Sequence, residues 1–366
     1  MTEIETMNDT DPLAVIATEK PNFSDDEAIE FIRRHYDLDV AVKSLLSERD
    51  QNFQLSTPGG EHYVLKIANS GEDPQVADFH NKALLHLQSF GEQHQNHVNA
   101  PAILLTRDGA TEFIVECGNE RHIARVVSFV AGIPLSDRIP STQLCHNLGV
   151  FLARLGLALK NFAHPGSNHS LLWDMQQALS VRRLLQHVPG KSTSLLIEAT
   201  LREFEESALP LFSTLRTQVI HNDLNPDNVL INPQDPDEVA GVIDFGDMLQ
   251  APLIVDVAIA ASYLRQLDGD PLELIAGFVS AYHSVVPLTS EEIDILYTLI
   301  KTRLAVSIAI LHWRASAKDE SDSYLANSLQ TESSAAVFLQ RLIEIPGDYA
   351  LRTFRSVCAS VDCTKS

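Results

Sequence analysis

The stretch Val219–Asp247 constrains this chain more than any other. It reads VIHNDLNPDNVLI, then the turn-rich NPQDPD, then the apolar run 239–243 closing on Asp244-Phe-Gly-Asp247. Two short apolar runs, 229–231 and 239–243, joined by Asn232-Pro-Gln-Asp-Pro-Asp predict a β-hairpin. A turn centred near residue 236 sets Asn228 opposite Asp244, so an amide and a carboxylate converge at the open end of two strands. One neutral oxygen donor and one carboxylate suit a hard cation such as Mg²⁺. Asp223 precedes Asn228 by five residues, on the loop that enters the hairpin. It can stand beside the metal without being forced onto it, as phosphoryl transfer requires of the group that orients an attacking hydroxyl. The plain alternative is an Asp/Asn-rich loop that only makes turns.

A second feature lies upstream. Pro58-Gly59-Gly60 separates two strand-like runs and predicts another hairpin. In the second run Tyr63, Leu65 and Ile67 share one face, while Val64, Lys66 and Ala68 share the other. An isolated strand lysine is as a rule solvated. Between small apolar neighbours facing a cleft, it suits an amine reaching phosphate oxygens, with Val64 lining an adenine pocket. Reflection about Gly59 puts Asn52 opposite Lys66, so the loop from Ser47 to Asn52 overhangs the same place and can close over a triphosphate.

Around these features the order is strands with one helix, then helices around a short β segment. This predicts an α+β, two-lobed chain: a small β-sheet lobe with one main helix, and a larger, mostly helical lobe. The expected divisions are a flexible acidic tail over 1–22, an N-lobe over 23–130, a C-lobe over 131–346 and a C-terminal tail over 347–366. Ser24 with Glu27 forms a capping box that starts the first helix. A net charge of −22 argues against nucleic acid, which demands clustered Lys and Arg. Four scattered cysteines, no membrane-length apolar run and an acidic N-terminus predict a cytoplasmic protein without membrane association. The oligomeric state is left open.

His221-x-Asp223-x-x-x-x-Asn228 with Ile243-Asp244-Phe-Gly246-Asp247 resembles the aminoglycoside phosphotransferase and choline kinase-like family, of protein-kinase-like fold. Glu48-Arg-Asp-Gln-Asn52-Phe53, Leu172-Trp173-Asp174 and Arg303-Leu-Ala-Val-Ser307 are most similar to its hydroxylysine kinase branch. The resemblance implies ATP and Mg²⁺, and a small amino alcohol such as hydroxylysine, ethanolamine or choline as acceptor. An aminoglycoside acceptor and an inactive nucleotide-binding module are the alternatives. By position it implies Asp223 as catalytic base, Asn228 and Asp244 as metal ligands and Lys66 on the α- and β-phosphates. It also implies the backbone of Ser128, Phe129 and Val130 as the adenine hinge, and Asp256 as a residue that steadies the catalytic loop. Trp173, Asp174, Asp247, Tyr263, Trp313 and Arg314 lie where the family builds its acceptor site, and Arg303 and Arg314 suit a substrate carboxylate. Two departures stand out. No glycine lies between Ser47 and Phe53, and the stretch 76–84 of the helix after Lys66 carries no glutamate, leaving Asp78, His80 or Asn81 as its replacement. An Ala-Pro-Glu activation segment is also missing, which argues against a protein substrate.

Overall fold

The computed structural model describes residues 20–47, 49–93, 98–317 and 323–365. Most of the expected acidic tail, and Glu48, lie outside the described residues. The chain divides into two compact units, one holding the described residues up to 93 with Asn99–Val130 and His164–Leu172, the other holding Val98, Ala131–Ala163 and the chain from Trp173.

The first unit is an antiparallel sheet with a helix on each face. Helix α1 (Asp25–Tyr36) begins at the capping box: Glu27 N–H donates to Ser24 Oγ at 3.3 Å, and Ser24 N–H donates to the Glu27 carboxylate at 2.8 Å. Strands β1 (Ala41–Leu45), β2 (Gln51–Ser56), β3 (His62–Ile67), β4 (Ile103–Leu104), β5 (Phe113–Cys117) and β6 (Glu120–Ser128) follow, with helix α2 (Pro74–Gln93) between β3 and β4. Their order is β1-β2-β3-β6-β4, with β5 on β6. The Pro58-Gly59-Gly60 turn forms as expected, with Gly60 at φ 85°. Strand β1 was not foreseen, because Lys43-Ser44 interrupts its apolar alternation.

The two faces of this sheet differ. Phe53, Leu55, Leu65, Ile67 and Val126 bury completely or nearly so against Ala28 and Ile32 of α1. Each such side chain contributes roughly 1.5–3 kcal/mol. The opposite face carries Lys66 and meets α2 through Ala68, Ala77 and Ile123. His164–Leu172, which the sequence reading placed in the second lobe, packs on α2. A Cβ at Gly166 would lie 2.4 Å from the Gln75 carbonyl oxygen, so only glycine permits that approach.

In the second unit, helices α3 (Thr142–Leu159), α4 (Lys191–Glu203), α5 (Leu253–Ser262), α6 (Glu273–Val285), α7 (Ser290–Ala317) and α8 (Ser323–Glu344) enclose short strands. These are β7 (Ile133–Pro134), β8 (Thr217–Ile220), β9 (Val229–Ile231), β10 (Val239–Val242) and β11 (Leu249–Pro252). They pair antiparallel as β10-β9-β7 and β11-β8. Helix α7 is buried on all sides from 299 to 310, the signature of a central core helix. Where long helices were expected, Met175–His187 winds as a 3₁₀ helix. The segment expected as a C-terminal tail is helix α9 (Gly347–Lys365), which buries Ala350, Phe354 and Cys358 at four-residue spacing. That spacing places all three on one helical face. Among the described residues no helix is long and apolar enough to cross a membrane.

Candidate active site

The hairpin places the polar residues, with one change from expectation. Val229 pairs with Val242 and Leu230 with Gly241, but Val239 pairs with Ile231, so the register shifts at Ala240. Asn228 therefore faces Ile243, whose N–H donates to its carbonyl at 2.9 Å, and not Asp244. Asp244 follows at φ 60°, in the left-handed region. A side chain at Gly246 would come within 3.3 Å of the Asp244 carboxylate, so glycine leaves that carboxylate room.

The loop between β8 and β9 is shaped by its own amides. Asp256, on α5, accepts the backbone N–H groups of His221 at 3.1 Å and Asn222 at 2.8 Å, and Asn222 sits at φ 64°. Such a conformation costs an L-residue roughly 1 kcal/mol, which two charge-assisted bonds offset. His221 Nε2 meets the Ile243 carbonyl at 3.1 Å and ties the loop to the end of the hairpin. Asn225, which the sequence reading passed over, accepts from Asp227 and Asn228 N–H and donates to Asp223 Oδ2 at 2.9 Å. Its signal was present: an asparagine before Pro226 marks a side-chain-mediated turn.

Asp223 thus emerges held on several sides. Asn228 Nδ2 donates to its carbonyl at 2.9 Å and its Oδ2 at 2.8 Å. Arg303, from the buried stretch of α7, lies 3.5 Å from its Oδ1. The Asp223 side chain is 21% exposed, which leaves it reachable. Burial first, then the charge of Asp247, pushes its carboxyl up to about 7, while Arg303 pulls it down. Asp244 adds to the upward push, so three carboxylates lie close together. The Asn228 amide nitrogen is spent on Asp223, which leaves the amide oxygen to face a cation. An amide oxygen, the Asp244 carboxylate and this local excess of negative charge fit Mg²⁺. Among the described residues no group of three His, Cys, Asp or Glu side chains is arranged to hold a metal.

The acceptor candidates separate into two sets. Arg303 stacks over the Trp173 ring at 5.2 Å and donates to the Trp173 carbonyl at 3.2 Å. Its neighbours include Tyr263, Asp223 and Asp247. That face of Trp173 is taken by a cation, so it does not offer an aromatic seat for an ammonium group. Asp174 accepts the Gln176 N–H at 2.8 Å and caps the 3₁₀ segment. Burial raises its carboxyl. Trp313 and Arg314 lie about three turns further along α7, roughly 16 Å from Arg303 by helical rise. That distance sets them apart from the Asp223 cluster.

In the first unit Asn52 pairs with Lys66 as anticipated, and Val64 pairs with Val127. Ser47 accepts from Lys20 through its carbonyl. Two of the three hinge N–H groups are already used. Ser128 donates to the Ala102 carbonyl at 2.8 Å and Phe129 to the His62 carbonyl at 3.1 Å. Of the three N–H groups expected to meet adenine, that of Val130 is the one neither of these bonds uses. Of the three expected partners for Lys66 on α2, Asp78 is engaged elsewhere, while Asn81 Oδ1 and both His80 ring nitrogens have no hydrogen-bond partner among the described residues. Asp78 bonds Lys82 and His164, Asn81 bonds Glu112, and His80 faces Glu72.

Comparison with known proteins now decides the family. The model of the phosphotransferase enzyme family (APH) matches residues 42–291. The chain belongs to this family. A hydroxylysine kinase of Danio rerio is 26% identical over 340 residues, covering 90% of this chain and 94% of that protein. Among solved structures, a microcompartment-associated aminopropanol kinase superposes with a TM-score of 0.68 at 19% identity, covering 90% of this chain and 100% of that one. An amicoumacin kinase solved with AMP-PNP and Ca²⁺ gives 0.63 at 14% identity, covering 89% and 97%. At such identities the structures speak for the fold alone. It is the protein-kinase-like α+β fold of the phosphotransferase family.

Proposed function

We propose that this phosphotransferase moves the γ-phosphoryl group of ATP, with Mg²⁺, onto the hydroxyl of a small amino alcohol, hydroxylysine being the first candidate. One observation carries the reading: Asp223 is held by Asn225, Asn228 and Arg303 beside Asp244, in a chain resembling hydroxylysine kinase over nine-tenths of its length. Asn228 Oδ1 and the Asp244 carboxylate would hold Mg²⁺. The metal, when bound, supplies neutralisation of charge on the phosphates. Asp223 aligns the acceptor hydroxyl and takes its proton as the acceptor oxygen bonds to phosphorus and the bond to the β-phosphate oxygen breaks. Lys66 would contact the phosphates, with Ser47 and Asn52 above them; Val64 and the hinge at Val130 would receive adenine. Arg303 holds Asp223 in place and keeps its charge from being lost to the neighbouring carboxylates. Asp247 is the carboxylate best placed for the acceptor's ammonium group, since the Trp173 face is covered by Arg303.

The test is purified protein with ATP, Mg²⁺ and a panel of hydroxylysine, ethanolamine, choline, aminopropanol and aminoglycosides. Mass spectrometry should show one phosphoryl group gained by an amino alcohol, with matching ADP. Transfer to aminoglycosides alone would replace the proposed acceptor class, and no transfer to any acceptor would overturn the reading.

A further inference from the structure

The loop from β1 to β2 leads into Asn52, and it is held by a part of the chain that precedes the first helix. The ladder between β1 and β2 stops at the Leu45–Asn52 pair, while β2 and β3 stay paired one residue further, at Gln51–Ile67. Gln51 therefore has a strand partner on one side only. Its side chain takes over where the ladder ends. The Phe23 N–H donates to Gln51 Oε1, and Gln51 Nε2 donates to the Phe23 carbonyl, each at 2.7 Å. One side-chain amide thus bonds a backbone donor and a backbone acceptor together, as the main chain of a neighbouring strand would.

Phe23 is a firm point to tie to. It is buried in one core with Phe53 and Ile67, its ring edge-on to Phe31 at 5.3 Å and to His122 at 5.6 Å. Alternation along β2 puts Gln51 on this core face with Phe53, and Asn52 on the opposite face with Lys66. Two further bonds hold the same loop. Asp50 accepts the Asn69 N–H at 3.3 Å, and the Lys20 ammonium donates to the Ser47 carbonyl. None of the described loop residues, 46, 47, 49 and 50, has a positive φ, so the loop is built from ordinary backbone conformations. Tied at Ser47, Asp50 and Gln51, it has little freedom left to lose when a ligand settles against it.

We propose that Gln51 is a positioning residue for the nucleotide: its two bonds to Phe23 hold the loop and Asn52, before ATP arrives, in the form that meets the triphosphate. The proposal rests on the functional reading, in which Asn52 and Lys66 face the phosphates. Gln51 lies on the other face of the sheet and touches no substrate. The extended segment ahead of α1 becomes part of the support of the nucleotide site through it. Without these bonds the nucleotide has to order the loop itself, which weakens binding and leaves the chemical step alone.

The test is steady-state kinetics on the full chain, calorimetric titration with AMP-PNP and Mg²⁺, and hydrogen exchange of the loop. Q51A removes both bonds to Phe23. It should raise KM for ATP and Kd for AMP-PNP together, each roughly tenfold, the size of one or two neutral hydrogen bonds. At saturating ATP kcat should stay within about twofold of wild type, the pattern of a loss in ground-state binding. Backbone amides of 46–52 should exchange faster in nucleotide-free Q51A than in nucleotide-free wild type. A residue that only stabilises the fold would lower Tm and kcat and leave KM for ATP where it was. If Q51A does not fold, Q51N, one methylene shorter, should show the same split between KM and kcat to a smaller degree. A glutamine variant with wild-type KM and Kd, or with a lower kcat at unchanged KM, would overturn the proposal. Wild-type protein that binds no AMP-PNP would instead overturn the functional reading beneath it.

Discussion

In the first unit two carboxylates, Glu72 and Asp50, lie in the field of Arg125, Arg49 and Lys66; in the second one guanidinium, Arg303, sits among Asp223, Asp247 and Asp256. Each arrangement leaves one sign of charge in excess. A surplus of buried cations suits the oxygens of a polyphosphate, and a surplus of carboxylates suits a divalent metal and an ammonium group. The minority charge has the same task in both units. It keeps the like-charged groups from driving one another neutral or apart, since several like charges in a poorly solvated place do not all remain ionised.

The strongest way to break the comparison is at Asp223. D223N removes the proposed proton acceptor and should cut transfer roughly a thousandfold, a typical size for a general base. AMP-PNP affinity should stay within about threefold by calorimetry, as base catalysis does not hold the nucleotide. Near-wild-type turnover would remove this carboxylate from the chemistry. Next comes Asp244. D244N should raise the Mg²⁺ concentration giving half-maximal rate by about tenfold to a hundredfold, the usual range for a disturbed metal site. A Mg²⁺ titration in which the variant matches wild type would take Asp244 out of the metal site.

A smaller effect is expected from R303K. Lysine keeps the positive charge but lacks the fork that meets both the Trp173 carbonyl and Asp223. A fall in kcat of about tenfold with little change in KM for ATP would sharpen the view of Arg303 as the counterweight, a role of positioning. An unchanged kcat would show that charge alone suffices.

The smallest effect concerns stability. Burial, against the pull of the two backbone N–H donors and Arg303, raises the Asp256 carboxyl from 3.8 to about 6. Between those values the folded chain binds a proton that the unfolded chain does not. The contribution of this group to stability is therefore fullest below pH 3.8 and is lost as pH rises through about 6. D256N cannot titrate. Thermal melts at a series of pH values should show wild type gaining on D256N as pH falls below about 6, by a margin on the order of 1 kcal/mol for each pH step of one. A difference that does not vary with pH would show that Asp256 acts only through its hydrogen bonds.

Much of the site was legible because its information is local. The Ser24–Glu27 box, the Pro58-Gly59-Gly60 turn, the exposed and buried faces of β3 and the Asn52–Lys66 pairing each depend on a few consecutive residues. What escaped depends on contacts between distant segments. The hairpin turns about residue 235 and the bulge at Ala240 makes up only part of the difference, so Asn228 faces Ile243 and not Asp244; neither the turn centre nor an extra strand residue leaves a mark in composition. Helix α9 read as a tail, since its three buried residues are spaced among polar ones and show their purpose only against α6 and α7. Trp173 and Arg303 were both singled out, yet only the fold revealed that one covers the other.

By itself the sequence determined on which strand or loop many of the polar groups stand, because periodicity and turn propensity act over neighbours. The tertiary structure decided their company: Arg303 beside Asp223 and over Trp173, and Asp256 on the amides of the loop. Electrostatic partnership falls with distance in space and takes no account of distance along the chain, so no local rule could have supplied it.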